Sequence, residues 1–252
     1  MDITLSIPII LMAFVCELVD STLGMGYGTT LTPLLLLLGY EPVAIVPAVL
    51  LSEFVTGVMA GLFHHEFGNV DLTPGTRDFK ISAVLTALSV VGVLLAVGIA
   101  VSVPTWVIKL YIGLLVLAIG LGILTIRKRE IAFSWRRVAS LGFVAAFNKG
   151  ISGGGYGPVV TGGQVLAGVR GRSAVGIASL AEGITSAVGV LAYLASGKPI
   201  PWHLAPSLLL GAVLSVPLAA YAVSRVSPAR LTLAIGGVST VLGGYTLLQV
   251  LL

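Results

Sequence analysis

The stretch "NKGISGGGYGP", residues 148–158, breaks into a chain that is greasy on both sides of it. It brings a lysine and a glycine-rich backbone that resists helix formation. If the flanking runs cross a bilayer, this backbone must be enclosed by protein or line a water-filled cavity, because lipid cannot satisfy its N–H and C=O groups. The fold turns on whether the stretch is a surface loop, a nucleotide-binding loop, a protease motif or a transport site.

Composition decides the environment first. Of 252 residues, 57% are hydrophobic and 10% charged, against about 25% charged in soluble domains. The chain reads as an all-α polytopic membrane protein whose main partner is the lipid bilayer. Its formal net charge of +4 does not point to nucleic acid, because the basic residues sit in short loops, as membrane topology requires. Cys16 is the only cysteine, which excludes an internal disulfide and a multi-cysteine metal site, so it reads as a buried, inert thiol. No cofactor and no metal are expected. The start "MDITLSIPII" lacks the basic region of a signal peptide and reads as a retained helix.

Apolar runs fall at 4–23, 29–38, 43–63, 80–101 and 104–126, then at 138–150, 155–167, 173–195, 204–223 and 229–251. Between the two sets lies the polar connector "RKREIAFSWRR" (127–137). Five segments, a basic linker and five more point to a duplication, and an offset of 129 exposes it without gaps. Residues 24–56 lie over 153–185, and eleven of these 33 positions are identical. They include Gly24/Gly153, Gly26/Gly155, Tyr27/Tyr156, Gly28/Gly157, Thr32/Thr161, Glu53/Glu182 and Thr56/Thr185. Apolar bias alone would not align a tyrosine, two threonines and a glutamate. The domain reading is a first transmembrane repeat (1–126), the linker (127–137) and a second repeat (138–252).

Charge sets the expected orientation. With the linker in the cytoplasm of a cell (inner) membrane protein, loops 64–79, 168–172 and 224–230 also fall inside, so that with Lys80 at the margin eleven of fourteen basic residues lie there. Both termini are then external. Each repeat makes an odd number of reversals, so the two are inverted relative to each other. Segment 29–38 is only ten residues long, whereas about 20 are needed to cross. Segments 4–38 and 138–167 are therefore either pairs of full spans or re-entrant hairpins, and parity is the same in both cases.

Inverted repeats with glycine-broken segments at matching positions are the best pointer in a sequence to a transporter's binding site. A helix broken at the midplane offers unpaired N–H groups and a positive dipole end to an anion, and glycines let a ligand approach that backbone. Lys149 lies twelve residues beyond Arg137, roughly 18 Å along a helix, which is close to the middle of a hydrocarbon core about 30 Å thick. An intramembrane lysine is a functional candidate by default. Its counterpart at the offset is Asp20, beside Ser21, so an acid and a base occupy equivalent places. The expectation is that Asp20 balances Lys149 in the empty site and that an anion competes for Lys149. The alternative is a permanent ion pair that joins the repeats.

The expected substrate contacts are Asn148, Lys149, Ser152, Gly153, Gly154, Gly155 and Tyr156 in the second repeat, and Asp20, Ser21, Gly24, Gly26, Tyr27 and Gly28 in the first. Glu53 and Glu182, near the centres of their segments, are candidates for proton coupling, since desolvation raises a carboxyl pKa. Equally, each could serve the orphan N–H groups of the broken helix in its own repeat. For Tyr27, Tyr156, Thr32, Thr161 and Gln164, helix–helix hydrogen bonding outweighs contact with an oxyanion. Glu17 has Ala146 as its counterpart and carries less weight. "HHEFGNVDL" (64–72) lacks the i, i+4 histidine spacing of a helical zinc site and reads as a solvated loop.

Rival readings of the opening stretch fare worse. A phosphate-binding loop places its lysine after the glycines, but Lys149 comes before them. "GISG" (150–153) fits a rhomboid-type G-x-S-G pattern with Ser152 as nucleophile, yet the only later histidine, His203, lies in the Pro-rich segment "GKPIPWH". A channel-like protein is the remaining alternative to a carrier.

Two motifs, "STLGMGYGTTLTPLLLLLG" (21–39) and "KGISGGGYGPVVTGGQVLAG" (149–168), are each followed by a segment carrying Glu53 or Glu182. Pro104 and Pro228 open the last segment of each half and are followed by "IG" at 112–113 and 235–236. With these features the chain resembles the sulfite exporter TauE/SafE family of membrane transporters over nearly its whole length. The resemblance implies a non-enzymatic carrier of small sulfur-containing anions (sulfite, organosulfonates or thiosulfate), with substrate contacts at the two glycine turns, Lys149 included. It leaves direction, coupling ion and oligomeric state open, a homodimer among the options. One departure is Met25, which stands where the second motif has Gly154.

Overall fold

In the computed structural model, residues 5–40, 42–99, 105–126, 132–152, 156–195 and 200–251 are described. Among them the chain is helical and has no strand. The first half holds α1 (Ile7–Leu23), α2 (Tyr27–Leu37), α3 (Pro42–Glu66), α4 (Arg77–Ile99) and α5 (Thr105–Ile126). The second holds α6 (Trp135–Ser152), α7 (Tyr156–Leu166), α8 (Gly171–Ala195), α9 (Ala205–Arg225) and α10 (Pro228–Leu251). Local chemistry explains several of the ends. Prolines open α1, α3, α9 and α10, where a missing N–H costs nothing. Gly24 closes α1 with φ 70°, the left-handed conformation that favours glycine.

Four helices among the described residues are long and apolar enough to cross a membrane: Ala44–Glu66, Gly171–Ala195, Ala205–Arg225 and Ala229–Leu248. By contrast α2 and α7 have 11 residues each, roughly 16 Å at 1.5 Å per residue, about half of a bilayer core.

Contacts between connections show where each helix begins and ends. At one end of the molecule, the Ser6 amide donates to Ser207 Oγ at 3.0 Å, and Tyr40 stacks on His203 with ring centroids 6.3 Å apart. The start of α1 and the end of α2 therefore lie beside the same turn before α9. At the other end, which carries the residues flanking the linker, the Ser134 amide donates to Ala167 O at 3.1 Å. There Arg137 Nη1 also donates to Leu166 O at 2.9 Å, so the start of α6 and the end of α7 meet. Arg77 lies over the Phe133 ring at 5.0 Å, and Arg172 donates to Val226 O, which brings the α3–α4, α7–α8 and α9–α10 connections to this linker end. Thus α1–α2 enters and leaves at the far end, and α6–α7 enters and leaves at the linker end. Both are re-entrant hairpins.

The helix pairings follow the 129-residue offset. Helix α3 packs on its counterpart α8, and α5 on α10. Helix α1 packs on α9 while α6 packs on α4; α3 packs on α9 while α8 packs on α4. Small residues make these crossings close. A Cβ on Gly57 would stand 2.7 Å from Gly183 Cα, and one on Gly183 would stand 2.7 Å from Val58 N. Helices α3 and α8 thus meet backbone to backbone, as small-residue crossings permit in membranes.

One expectation is corrected here. "HHEFGNVDL" is not wholly a solvated loop: His64 belongs to α3 and is fully buried, and Asn69 and Val70 are buried beyond it. His64 Nε2 lies 2.8 Å from Ser21 O, its Nδ1 3.0 Å from Asn69 Nδ2, and Asn69 donates to Ala220 O at 2.8 Å. Polar residues that read as loop in the sequence instead fasten α3 to the first hairpin and to α9.

Candidate functional site

The first hairpin turns at the level of the middle of α3. Gly24 N–H donates to Asp20 O at 2.5 Å, and Gly26 follows with φ 129°, also in the glycine region. This pair of turns reverses the chain in three residues and aims the start of α2 back at α1. Asp20 Oδ1 accepts the Tyr27 N–H at 3.0 Å, as an N-cap side chain does. A Cβ on Gly28 would lie 2.8 Å from Glu53 Oε1, so the Glu53 carboxylate rests on the first turn of α2. Its other oxygen accepts from Ser186 Oγ of α8 at 3.0 Å. Two carboxylates therefore occupy the positive end of α2, which suits acceptors on electrostatic grounds.

The second hairpin meets the first at its turn. A Cβ on Gly157 would stand 2.7 Å from Gly24 O and from Met25 Cα, and Thr161 Oγ1 donates to Gly24 O at 2.8 Å. Two re-entrant elements entering from opposite ends thus touch through Gly24, Met25, Gly157 and Thr161. Asn148, Lys149 and Ser152 lie at the end of α6; their side chains, and the whole of Gly153, Gly154 and Gly155, fall outside the described residues.

The tyrosine and threonine hydroxyls go to other helices or to backbone. Tyr27 OH pairs with Ser52 Oγ at 2.8 Å and Tyr156 OH with Ser89 Oγ at 2.6 Å, both fully buried. Gln164 Nε2 donates to Ala174 O at 3.2 Å. Thr56 and Thr185 donate to Ser52 O and Ala181 O of their own helices.

Between α1, α3 and α8 lies a cavity of about 10 Å³ lined by Glu17, Asp20, Glu53, Thr56, Gly57, Ser179 and Glu182, room for a water-sized occupant. It gathers three of the acids singled out from the sequence, Asp20, Glu53 and Glu182, and adds Glu17. Ser21 Oγ donates to Glu17 Oε1 at 2.5 Å, and Ser179 Oγ is buried without a hydrogen-bond partner. Glu17 was obscured by its apolar counterpart Ala146. The usable signal was local: Glu17, Asp20 and Ser21 share one helical face at i, i+3 and i+4. Among the described residues no group of three or more His, Cys, Asp or Glu is placed to hold a metal ion.

Comparison with known proteins gives the family. The model of the family described as sulfite exporter TauE/SafE matches residues 9–246. The chain belongs to this family. It is also 29% identical over 248 residues to the probable membrane transporter protein YtnM of Bacillus subtilis (strain 168), covering 92% of this chain and 79% of that protein. No solved structure matches. As a TauE/SafE family member the chain is a multi-pass membrane transporter.

Proposed function

We propose that the chain carries small sulfur-containing anions of the sulfite, organosulfonate or thiosulfate class by alternating access, with protons as the coupling ion. The observation that carries this reading is the meeting of two re-entrant hairpins, entering from opposite ends, beside a cavity lined by carboxylates. The paired helices at offset 129 support an inverted repeat, and rocking one repeat against the other would open the meeting point to alternate sides.

The two turns divide the work. In the first, Asp20 and Glu53 already occupy the α2 terminus, so an anion is repelled there. In the second, Lys149 stands in the place of Asp20, and the glycines 153–155 offer close approach to the backbone. The anion binds on the Lys149 side. Its charge adds to that of Glu17, Asp20, Glu53 and Glu182, and protonating a carboxylate of this cluster relieves the repulsion. Proton and anion then travel together. The linker end, which gathers Arg77, Arg137 and Arg172, faces the cytoplasm under the charge rule for membrane loops.

Purified protein tested by thermal shift against sulfite, thiosulfate, sulfate, taurine and sulfoacetate, with carboxylate controls, addresses the substrate class. Stabilisation by at least one sulfur oxyanion is expected, and its loss in Lys149→Ala and Lys149→Gln. Stabilisation by carboxylates or cations alone, or unchanged transport in both variants, overturns the assignment.

A further inference from the structure

A second cavity lies at the linker end, apart from the meeting point of the hairpins. Its volume is about 450 Å³, within the size range of small-molecule sites. One wall comes from the α3–α4 connection and the first turn of α4, with Asn69, Asp71 and Asp78. The opposite wall is the start of α8, with Arg170, Arg172 and Ser173. Acids line one side and guanidinium groups the other, yet among the described residues no ion pair joins them.

The positions of these charges are held by other contacts. Asp71 Oδ1 accepts the Thr73 amide at 3.0 Å, and the Thr73 side chain and amide hold the Asp71 carboxyl below its ordinary value. Asp78 Oδ2 accepts the Asp71 amide at 3.3 Å. Arg172 is anchored on Val226 O by Nε and Nη2, while Arg170 is exposed, its backbone O accepting the Ala174 amide and its guanidinium making no hydrogen bond among the described residues. Asn69 lines the same cavity and is only 4% exposed; its Nδ2 meets His64 Nδ1 and Ala220 O, its backbone O accepts from Ser173 Oγ at 3.5 Å, and its enclosed Oδ1 accepts nothing.

From a cavity that sets acids of one half against arginines of the other with no ion pair between them among the described residues, we infer that it binds a small zwitterion, a primary ammonium joined to a carboxylate or phosphate. The ammonium has three donors and faces Asp71 and Asp78. The oxyanion faces Arg170, whose planar fork suits carboxylate and phosphate alike, with Ser173 and the start of α8 behind it. A ligand of one sign would satisfy one wall and be repelled by the other. Because the walls belong to opposite halves of the chain, an occupant ties the α3–α4 connection to α8 and holds this end together. The site does not depend on which anion is transported.

The same chemistry is offered by free amino acids and by the phosphoethanolamine headgroup of a lipid. Binding to the purified protein is measured by calorimetry with serine and with free phosphoethanolamine, and stability is compared in nanodiscs of phosphatidylethanolamine and of phosphatidylcholine. Binding of at least one soluble zwitterion is expected if the source is soluble; a thermal shift only in phosphatidylethanolamine assigns the lipid. In either case Arg170→Gln and Asp71→Asn each weaken the effect by at least about tenfold, whereas Arg230→Gln, outside the cavity, leaves it unchanged. Equal binding of ethanolamine alone or inorganic phosphate alone overturns the proposal. So does the absence of any response in calorimetry and nanodiscs, or a response that survives both substitutions.

Discussion

Gly24 concentrates three demands on one residue: a left-handed φ of 70°, a carbonyl that receives the Thr161 hydroxyl, and no room for a Cβ against the Thr161 side chain. Gly39 has a comparable φ of 86° but nothing within 4 Å of its Cβ direction. Replacing each by alanine separates backbone strain from packing. Gly39→Ala bears only the strain of the left-handed region, about 1–2 kcal/mol. Gly24→Ala bears that strain and the displacement of Thr161, so it melts at the lower temperature in detergent; equal melting temperatures would show that the contact between hairpins contributes nothing. Thr161→Val leaves Gly24 O without its donor at nearly constant volume. A loss of about 1–3 kcal/mol follows from an orphaned buried acceptor, and Thr161→Ser restores most of it. Chemical denaturation of the two variants measures the difference. At this scale the sequence was informative where the repeat duplicated a residue, as with Glu53 and Glu182. It was silent on His64 and Asn69, whose importance comes from burial against other helices, not from their own neighbours in the chain.

At the scale of elements, helices were legible as apolar runs, and the shortness of 29–38 already marked α2 as unusual. Whether α1–α2 crosses twice or turns back was not legible, because both arrangements have the same hydropathy and the same loop charges. Only contacts such as Ser6 with Ser207 and Tyr40 with His203 decide it. The hairpin makes a specific labelling prediction. In a Cys16→Ala background, Tyr40→Cys reacts with a membrane-impermeant maleimide from the side on which His203→Cys reacts, and Thr73→Cys reacts from the opposite side. Met25→Cys, at the buried turn, reacts slowly from both. Fast labelling of residue 25 from the side of residue 73 would mean that α1 and α2 are full spans. The α3–α8 crossing has its own signature. An alanine at Gly57 or Gly183 forces the same two backbones apart, so each single variant is destabilised by about 1–3 kcal/mol. The double variant loses less than the sum, because residues sharing one contact are not additive. Additive losses in denaturation would show that the two helices do not meet there.

For the whole molecule, the question is how charge in one repeat is balanced by the other. Glu53 is committed to the α2 turn and to Ser186, whereas Glu182, on the opposite repeat, is half-buried and lines the same cavity. Under the proposed proton coupling, the coupling group needs access to water, so we propose that Glu182 couples and Glu53 positions. The distinction is testable in proteoliposomes that hold a transported sulfur oxyanion and a pH-sensitive dye. Wild-type protein should accumulate the anion against its gradient when the outside is acidic, with protons entering alongside it. Glu182→Gln carries no titratable proton, so gradient-driven accumulation should fall by at least about tenfold, the loss expected for removing one positioned proton-transfer group. Anion exchange across equal pH should persist, because the hairpins and the Lys149 side are untouched. Glu53→Gln, by contrast, weakens an acceptor at the α2 terminus and should lower stability and both transport modes together. If Glu182→Gln still concentrates the anion with undiminished proton entry, the coupling proton moves on another carboxylate of the cluster, and Glu17, which accepts from Ser21 Oγ within α1, becomes the residue to replace next.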